Sequence, residues 1–340
     1  MTKGVGGSTA EAELAAITSQ RDRVAPITTE ERCDRIACAQ ARMQETGVAA
    51  LWLDGTTDLE YFTGVRHGQT ERMIGCILPA KGEPVYLSPA FEVEKLRTLI
   101  TIGERVVAWE EHESPFALFA ETLKTLQIAR GTLALDAQAR FFVVDGIRRA
   151  AEAAGLDYTL TPATDIAGWC RARKTPAELA IISHAMQCTL RVQAAAARIL
   201  RPGITTTEVA AFLDEAHRRM GFDGGSRFAL VLFGEASAYP HGVPHPQTLK
   251  EGDMVLVDTG AAMHGYVSDI TRSYVLGEPS ARQRVVWDLE KRAQEAAFAV
   301  IRPGVPCAAI DDAARGVING AGYGPGYATP GLPHRSGHGI

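Results

Sequence analysis

Residues 254–275 read MVLVDTGAAMHGYVSDITRSYV, two β-rich runs around a glycine-bracketed turn. The run 254–258 predicts a short buried strand. The run 266–275, rich in Tyr, Val, Ile and Thr, predicts a second. Gly260 and Gly265 bracket the connection. A turn closing symmetrically on Met263 and His264 sets Asp258 opposite Asp269, with Cβ atoms about 4.5–5.5 Å apart. Two ionised carboxylates at that distance repel, and a shared proton, an arginine or a divalent cation must compensate. Carboxylate oxygens suit hard or borderline cations. The alternatives are two solvated carboxylates, or one paired with Arg272. A one-residue bulge breaks the register on which the pairing rests.

The second half also repeats itself. Arg201-Pro-Gly-Ile204 recurs as Arg302-Pro-Gly-Val305, an offset of 101 (302 − 201). A long helical stretch precedes each copy, 178–200 and 281–301. An amphipathic stretch ending at glycine follows each, 206–221 and 307–322. The first copy continues into a strand at 227–233 and then into the aspartate hairpin. Such a repeat predicts two helix–helix–sheet units related by a pseudo-two-fold axis.

The first half alternates differently. Thr28-Thr-Glu-Glu31 is a capping box opening a helix that runs to Gly47. Short strands and helices then alternate to about residue 160, which predicts a mixed sheet flanked by helices. A basic joint, Arg171-Ala-Arg-Lys174, leads into a second capping box, Thr175-Pro-Ala-Glu178. The domain reading is residues 1–27 as a flexible arm or short capping helix, 28–165 as the mixed-sheet domain and 166–340 as the repeat-bearing domain. A length of 340 residues with 46% hydrophobic and 22% charged content suits two globular domains. The net charge of −5 comes without a long basic run, so nucleic acid is not an expected partner. No apolar stretch reaches the roughly 18 residues of a membrane span. The N-terminus lacks the apolar core of a signal peptide. Cys33, Cys38, Cys76, Cys170, Cys188 and Cys307 form no C-x-x-C pair, lie mostly in apolar surroundings and read as buried free thiols of a reducing cytoplasm.

Candidate chemistry gathers around a few histidines. His67, His112, His184, His217 and His264 stand alone and read as structural. His241 and His245 share i, i+4 spacing, but Pro240, Pro244 and Pro246 forbid a helix there. No H-E-x-x-H pair exists, which excludes a zincin site. His334 and His338 lie in a glycine-containing tail. An imidazole near the two aspartates makes a mixed nitrogen–oxygen metal site. No G-x-S-x-G elbow, P-loop or dinucleotide fingerprint appears.

His241-Gly, Val257-Asp-Thr-Gly260, Ser268-Asp-Ile-Thr-Arg272 and His334-Arg-Ser-Gly-His-Gly339, in that order, resemble the pita-bread metallopeptidases, which include Xaa-Pro dipeptidases (prolidases), aminopeptidase P and methionine aminopeptidases. Leu59-Glu-Tyr-Phe-Thr-Gly64 and Arg173-Lys-Thr-Pro-Ala-Glu178 resemble the proline-specific branch, nearest to bacterial Xaa-Pro dipeptidases. The resemblance covers residue 28 to the end. It implies an α/β (α+β) chain with a creatinase-like N-terminal domain and a C-terminal pita-bread domain. It also implies two divalent metal ions, manganese first, with cobalt or zinc as alternatives. Asp258 and His338 would each ligate one ion and Asp269 both. His241 and His334 would be catalytic, and Thr271 would hydrogen-bond behind the ligands. The substrate would be an Xaa-Pro dipeptide or short peptide, and the protein a cytoplasmic homodimer. Aminopeptidase P, a creatinase-like amide hydrolase and a non-catalytic peptide binder are the rival readings.

The repeat carries one more expectation. The counterpart of Asp258 falls at position 359 (258 + 101), past Ile340. The second repeat is thus expected to have its helices and first strand but not its hairpin. The resemblance likewise implies two glutamate ligands that have no counterpart among the 340 residues. The 340-residue chain by itself is therefore expected to be inactive, weak in metal binding and poorly soluble.

Overall fold

The computed structural model describes residues 4–338. It forms two compact units. One is residues 26–177; the other joins the N-terminal residues through Ala25 to the residues from Glu178 onward.

The N-terminal residues are not a free arm. Helix α1 (Ala10–Ala16) is capped by Thr9, whose hydroxyl accepts from the Ala12 amide at 3.2 Å. Gly6 and Ser8 donate backbone bonds to Ala197 and Arg198, and Gln20 to Met220. Val5, Leu14, Ile17 and Val24 pack against the core of the second unit, and Glu13 pairs with Arg198 at 2.6 Å. Four apolar side chains spaced through a small, polar segment supply the burial that docks it.

In the 26–177 unit the order is α2 (Thr29–Thr46), β1 (Val48–Asp54), α3 (Thr57–Thr63), β2 (Gly75–Pro79), β3 (Val85–Pro89), α4 (Val93–Leu99), β4 (Val106–Trp109), α5 (Pro115–Thr125), β5 (Arg130–Leu135), α6 (Phe141–Ala153), β6 (Asp157–Pro162) and α7 (Ala167–Ala172). The sheet runs β4-β3-β2-β1-β5-β6, antiparallel at β1–β2 and β2–β3 and parallel elsewhere. Strand β1 shows why both faces are covered. Leu51 and Leu53 enter one apolar cluster, Ala50 and Trp52 the other, as a period of two requires.

The second unit continues with α8 (Pro176–Ile199), α9 (Thr206–Met220), β7 (Phe228–Phe233), β8 (Met254–Gly260), β9 (Ala262–Met263), β10 (Tyr266–Val267), β11 (Ile270–Val275), α10 (Ala281–Val300) and α11 (Cys307–Gly320). Strands β11-β8-β7 form an antiparallel sheet. Val231, Phe233, Val255 and Val257 on its inner face meet Ala185, Val192 and Ile199 of α8 and Val209, Phe212 and Leu213 of α9.

The internal repeat is written in the backbone. Gly203 and Gly304 have φ of 84° and 85°, and Ile204 and Val305 each donate to the carbonyl three residues earlier at 3.2 Å. Helix α9 ends with Gly221 donating to Arg218 and Phe222 to His217. Helix α11 ends with Gly322 donating to Asn319 and Tyr323 to Ile318, the same bonds 101 residues on. The copies diverge after that. No strand forms at 321–338 among the described residues, contrary to expectation. Pro330 and Pro333 remove two ladder donors from that segment.

Candidate active site

The hairpin register differs from the symmetric closure on Met263 and His264. Met263 pairs with Tyr266 and Ala262 with Val267, so the turn is centred on His264 and Gly265. Both have positive φ, 50° and 87°, as a two-residue type I′ loop demands. Gly265 takes the left-handed conformation at no steric cost. Moving the centre one residue shifts every cross-strand partner by two. Asp258 therefore faces Thr271, not Asp269, and its Oδ1 accepts from the Thr271 hydroxyl at 2.8 Å. A shift of two keeps each side chain on its face. Asp269, two residues before Thr271, remains on the Asp258 side as a diagonal neighbour.

Asp269 lies in the gap between β10 and β11, outside the ladder. Its neighbour Ser268 comes so close that a Cβ on Gly260 would stand 1.8 Å from the Ser268 carbonyl oxygen. One stripe of α8 holds this irregular step. Met186, Thr189 and Gln193 follow i, i+3, i+7 spacing, one face of a helix. The Asp269 amide donates to Met186 Sδ at 3.5 Å. Thr189 Oγ1 and Ser268 Oγ share a hydrogen bond of 2.6 Å. Gln193 Nε2 donates to the Val257 and Ile270 carbonyls at 3.0 and 2.8 Å. Beneath them His217, fully buried, lies 2.9 Å from Ser226 Oγ and 3.3 Å from Thr189 Oγ1. Burial pushes its pKa down to about 4, so it is a neutral structural imidazole. This stripe leaves only a faint signal in the sequence, a polar Thr and Gln within an Ala-rich helix.

Around the hairpin face, His338 Nε2 stands 3.6 Å from Asp269 Oδ2. Burial raises the Asp269 pKa, the Asp258 charge raises it further, and His338 opposes both. The His241 loop lies on the same side of the sheet. A Cβ on Gly242 would meet Leu230 Cδ1 at 3.0 Å and Leu232 Cδ2 at 3.2 Å, and Leu230 is the cross-strand partner of Asp258. His241 itself is exposed. His334 is exposed too, and its Nδ1 donates to the Arg335 carbonyl at 2.7 Å. Neither bonds to Asp258 or Asp269 among the described residues. Arg272 points its guanidinium to the Thr271 carbonyl, at 2.7 Å.

Two carboxylates on one face with an imidazole beside one of them match the donor types of a hard or borderline cation. Burial first, and the Asp258 charge second, disfavour the ionised form of Asp269. The fit is in kind and in side, not in number. Among the described residues no three His, Cys, Asp or Glu side chains converge closely enough to hold a metal.

Comparison with known proteins identifies the family of both units. Residues 180–340 match metallopeptidase family M24, and residues 35–173 match the creatinase/prolidase N-terminal domain. The Bacillus subtilis protein named "Putative dipeptidase YkvY" is 30% identical over 316 residues, covering 90% of this chain and 82% of its own length. The crystal structure of dipeptidase PepE from Mycobacterium ulcerans superposes with a TM-score of 0.79 at 31% identity, over 88% of this chain and 79% of that one. The recombinant prolidase from Thermococcus sibiricus gives 0.77 at 27% identity, over 85% and 77%. The two-unit α/β architecture, the aspartate hairpin and these matches together make the chain a member of metallopeptidase family M24, with a creatinase/prolidase-type N-terminal domain ahead of the pita-bread domain.

Proposed function

We propose that the protein is an Xaa-Pro dipeptidase that works with two divalent ions, manganese foremost. One observation carries this reading. Asp258 and Asp269 share a face of the β8–β11 pair, and His338 stands 3.6 Å from Asp269. Relatives named as a dipeptidase and a prolidase support the substrate class. Asp258, Asp269 and His338 are the side chains that would contribute ligands. When bound, divalent ions supply an acidified water and charge stabilisation at the scissile carbonyl.

The remaining roles belong to the chain's own side chains. Thr271 holds the Asp258 carboxylate in one orientation through its 2.8 Å bond. His241, on the loop over the aspartate face, offers an N–H to the carbonyl oxygen as it gains negative charge. His334 is a second histidine for the substrate, on the segment that leads to His338. The amide nitrogen of proline carries no hydrogen, so selection for the ring rests on pocket shape rather than on that donor. The reading extends to a homodimer formed through residues 28–165, in a reducing cytoplasm that suits six free cysteines, of which Cys33, Cys38 and Cys307 are exposed rather than buried as expected.

The test is to assay the 340-residue chain, and a form carrying any coding sequence downstream of Ile340, against Ala-Pro and Ala-Pro-Ala with added manganese. Cleavage of Ala-Pro by at least one of the two forms is the expected result. Cleavage of the tripeptide alone means an aminopeptidase P. Metal-independent turnover of a small amide means a creatinase-like enzyme, and peptide binding without turnover a non-catalytic binder. Sedimentation as a monomer at micromolar concentration rejects the dimer.

A further inference from the structure

Residues 321–338 carry both C-terminal histidines yet contain no helix or strand among those described. Backbone hydrogen bonding alone therefore cannot hold His334 and His338 in place. Two side chains of α11, Arg315 and Asp311, compensate. Arg315, on α11 and only 8% exposed, points its guanidinium into the segment. Its Nη1 donates to the carbonyls of Gly326 and Leu332 at 2.7 and 2.6 Å. Its Nη2 donates to the carbonyl of His334 at 2.6 Å and to Asp311 Oδ1 at 3.5 Å. Nε donates to Asp311 Oδ2. All five N–H groups of the fork are used. The Tyr327 ring covers the guanidinium, 4.0 Å from its carbon. Asp311 grips the far end, accepting from the Ser336 amide at 2.8 Å and its hydroxyl at 2.6 Å.

The internal repeat shows the same position used for the same purpose. The counterpart of Arg315 is Asp214 on α9 (315 − 101). Asp214 Oδ1 accepts from the Ser226 amide at 2.9 Å, tying down the loop that leads into β7. One copy holds its loop with a carboxylate on an amide, the other with a guanidinium on carbonyls.

We infer that Asp311 and Arg315 form a clasp that positions the His334–His338 segment at the aspartate face, so that both are positioning residues of the proposed active site. The histidine roles rest on the dipeptidase reading; the clasp does not. The bonds at both ends are charge-assisted, and bonds to Arg315 and Ser336 drive the Asp311 pKa down to about 2, so the pair stays ionised at any working pH. Lysine cannot replace the arginine, since an ammonium has three donors on one atom and no planar fork.

The test uses the whole chain and three substitutions: Arg315→Lys, Arg315→Ala and Asp311→Asn. Hydrogen exchange of peptides spanning 323–336 is expected to quicken by about tenfold or more in each, the equivalent of one lost bond to a charged group. Exchange in β7, β8 and β11 is expected to stay at the wild-type rate. Millimolar guanidinium is expected to restore protection to Arg315→Ala, whereas the lysine variant stays unprotected. The ¹⁵N shifts of the His334 ring supply a signature that general loosening would not give. In the wild type they report a proton on Nδ1, which donates to the Arg335 carbonyl; in Arg315→Ala they move toward the free tautomer mixture. Where peptidase activity is present, kcat falls and KM for Ala-Pro holds. Unchanged exchange and ring shifts in Arg315→Ala overturn the clasp. So does exchange that quickens equally through the sheet. Failure of both the 340-residue chain and the longer form to cleave Ala-Pro sinks the dipeptidase reading instead, and the exchange and ring shifts still decide the clasp.

Discussion

Gln193→Met removes the pin beneath the hairpin while keeping side-chain length. Gln193 is 2% exposed and makes three side-chain bonds: to the Val257 carbonyl at 3.0 Å, to the Ile270 carbonyl at 2.8 Å, and from the Tyr274 hydroxyl at 3.2 Å. Each is worth about 1 kcal/mol net, and of the two carbonyls left without this donor that of Ile270 adjoins the Ser268–Asp269 interruption of the ladder. A buried thioether returns about 1 kcal/mol through its apolar surface. The net cost is about 2–3 kcal/mol. The chain has two compact units, so a single denaturant transition is the wrong observable. Native-state amide exchange at Asp258, Thr259, Ile270 and Thr271 reads the opening of the hairpin directly. A loss of 2–3 kcal/mol quickens exchange there by about 30- to 150-fold. Amides of residues 26–177 should not respond. An increase below about threefold at the hairpin refutes the assignment of its stability to Gln193.

Other perturbations follow from the same geometry. His217 is neutral when folded, with a pKa of about 4, and takes up a proton near 6.5 when unfolded, so its contribution is fully present above 6.5 and is lost as pH falls toward 4. The loss is about 3 kcal/mol, and His217→Gln should flatten the stability profile between those values, as read by exchange in β8 and β11. Asp269→Asn should weaken manganese binding at least tenfold by calorimetry, because a neutral amide replaces the carboxylate beside His338. His241→Ala should instead spare metal content and lower kcat by about 10²–10³-fold; loss of metal would make His241 a ligand. Deleting residues 1–25 uncovers the surface under Val5, Leu14, Ile17 and Val24, and should cost the second unit about 2–4 kcal/mol, seen as faster proteolysis of α8 and α9.

Much of this was legible because it is local. The apolar run of 254–258, the β-branched run of 266–275 and the R-P-G repeat each declare an element within a few residues. The backbone then honours them, down to matching helix ends 101 residues apart. The face shared by Asp258 and Asp269 was legible too, since it depends on parity alone. Their direct pairing was not. Met263-His264 and His264-Gly265 are both plausible turn centres, and only a glycine at the second central position makes a type I′ loop strain-free. Gly265 was that signal, read as a bracket rather than as part of the turn.

Most elements and the family were readable along the chain, because periodicity, capping and motif order are properties of neighbours. Tertiary structure decided what those residues meet. Asp258 gained Thr271 rather than Asp269. The Asp269 step gained Met186, Thr189 and Gln193 from a helix some 80 residues earlier. The N-terminal arm became part of the second unit, and Arg315 became the anchor of the histidine segment. Thr189, Gln193, Ser268 and Arg315 are buried polar groups that found the partners desolvation obliges them to find, whereas the arm docked through apolar side chains. Which partner is within reach depends on how whole elements pack, and no short window of sequence records that.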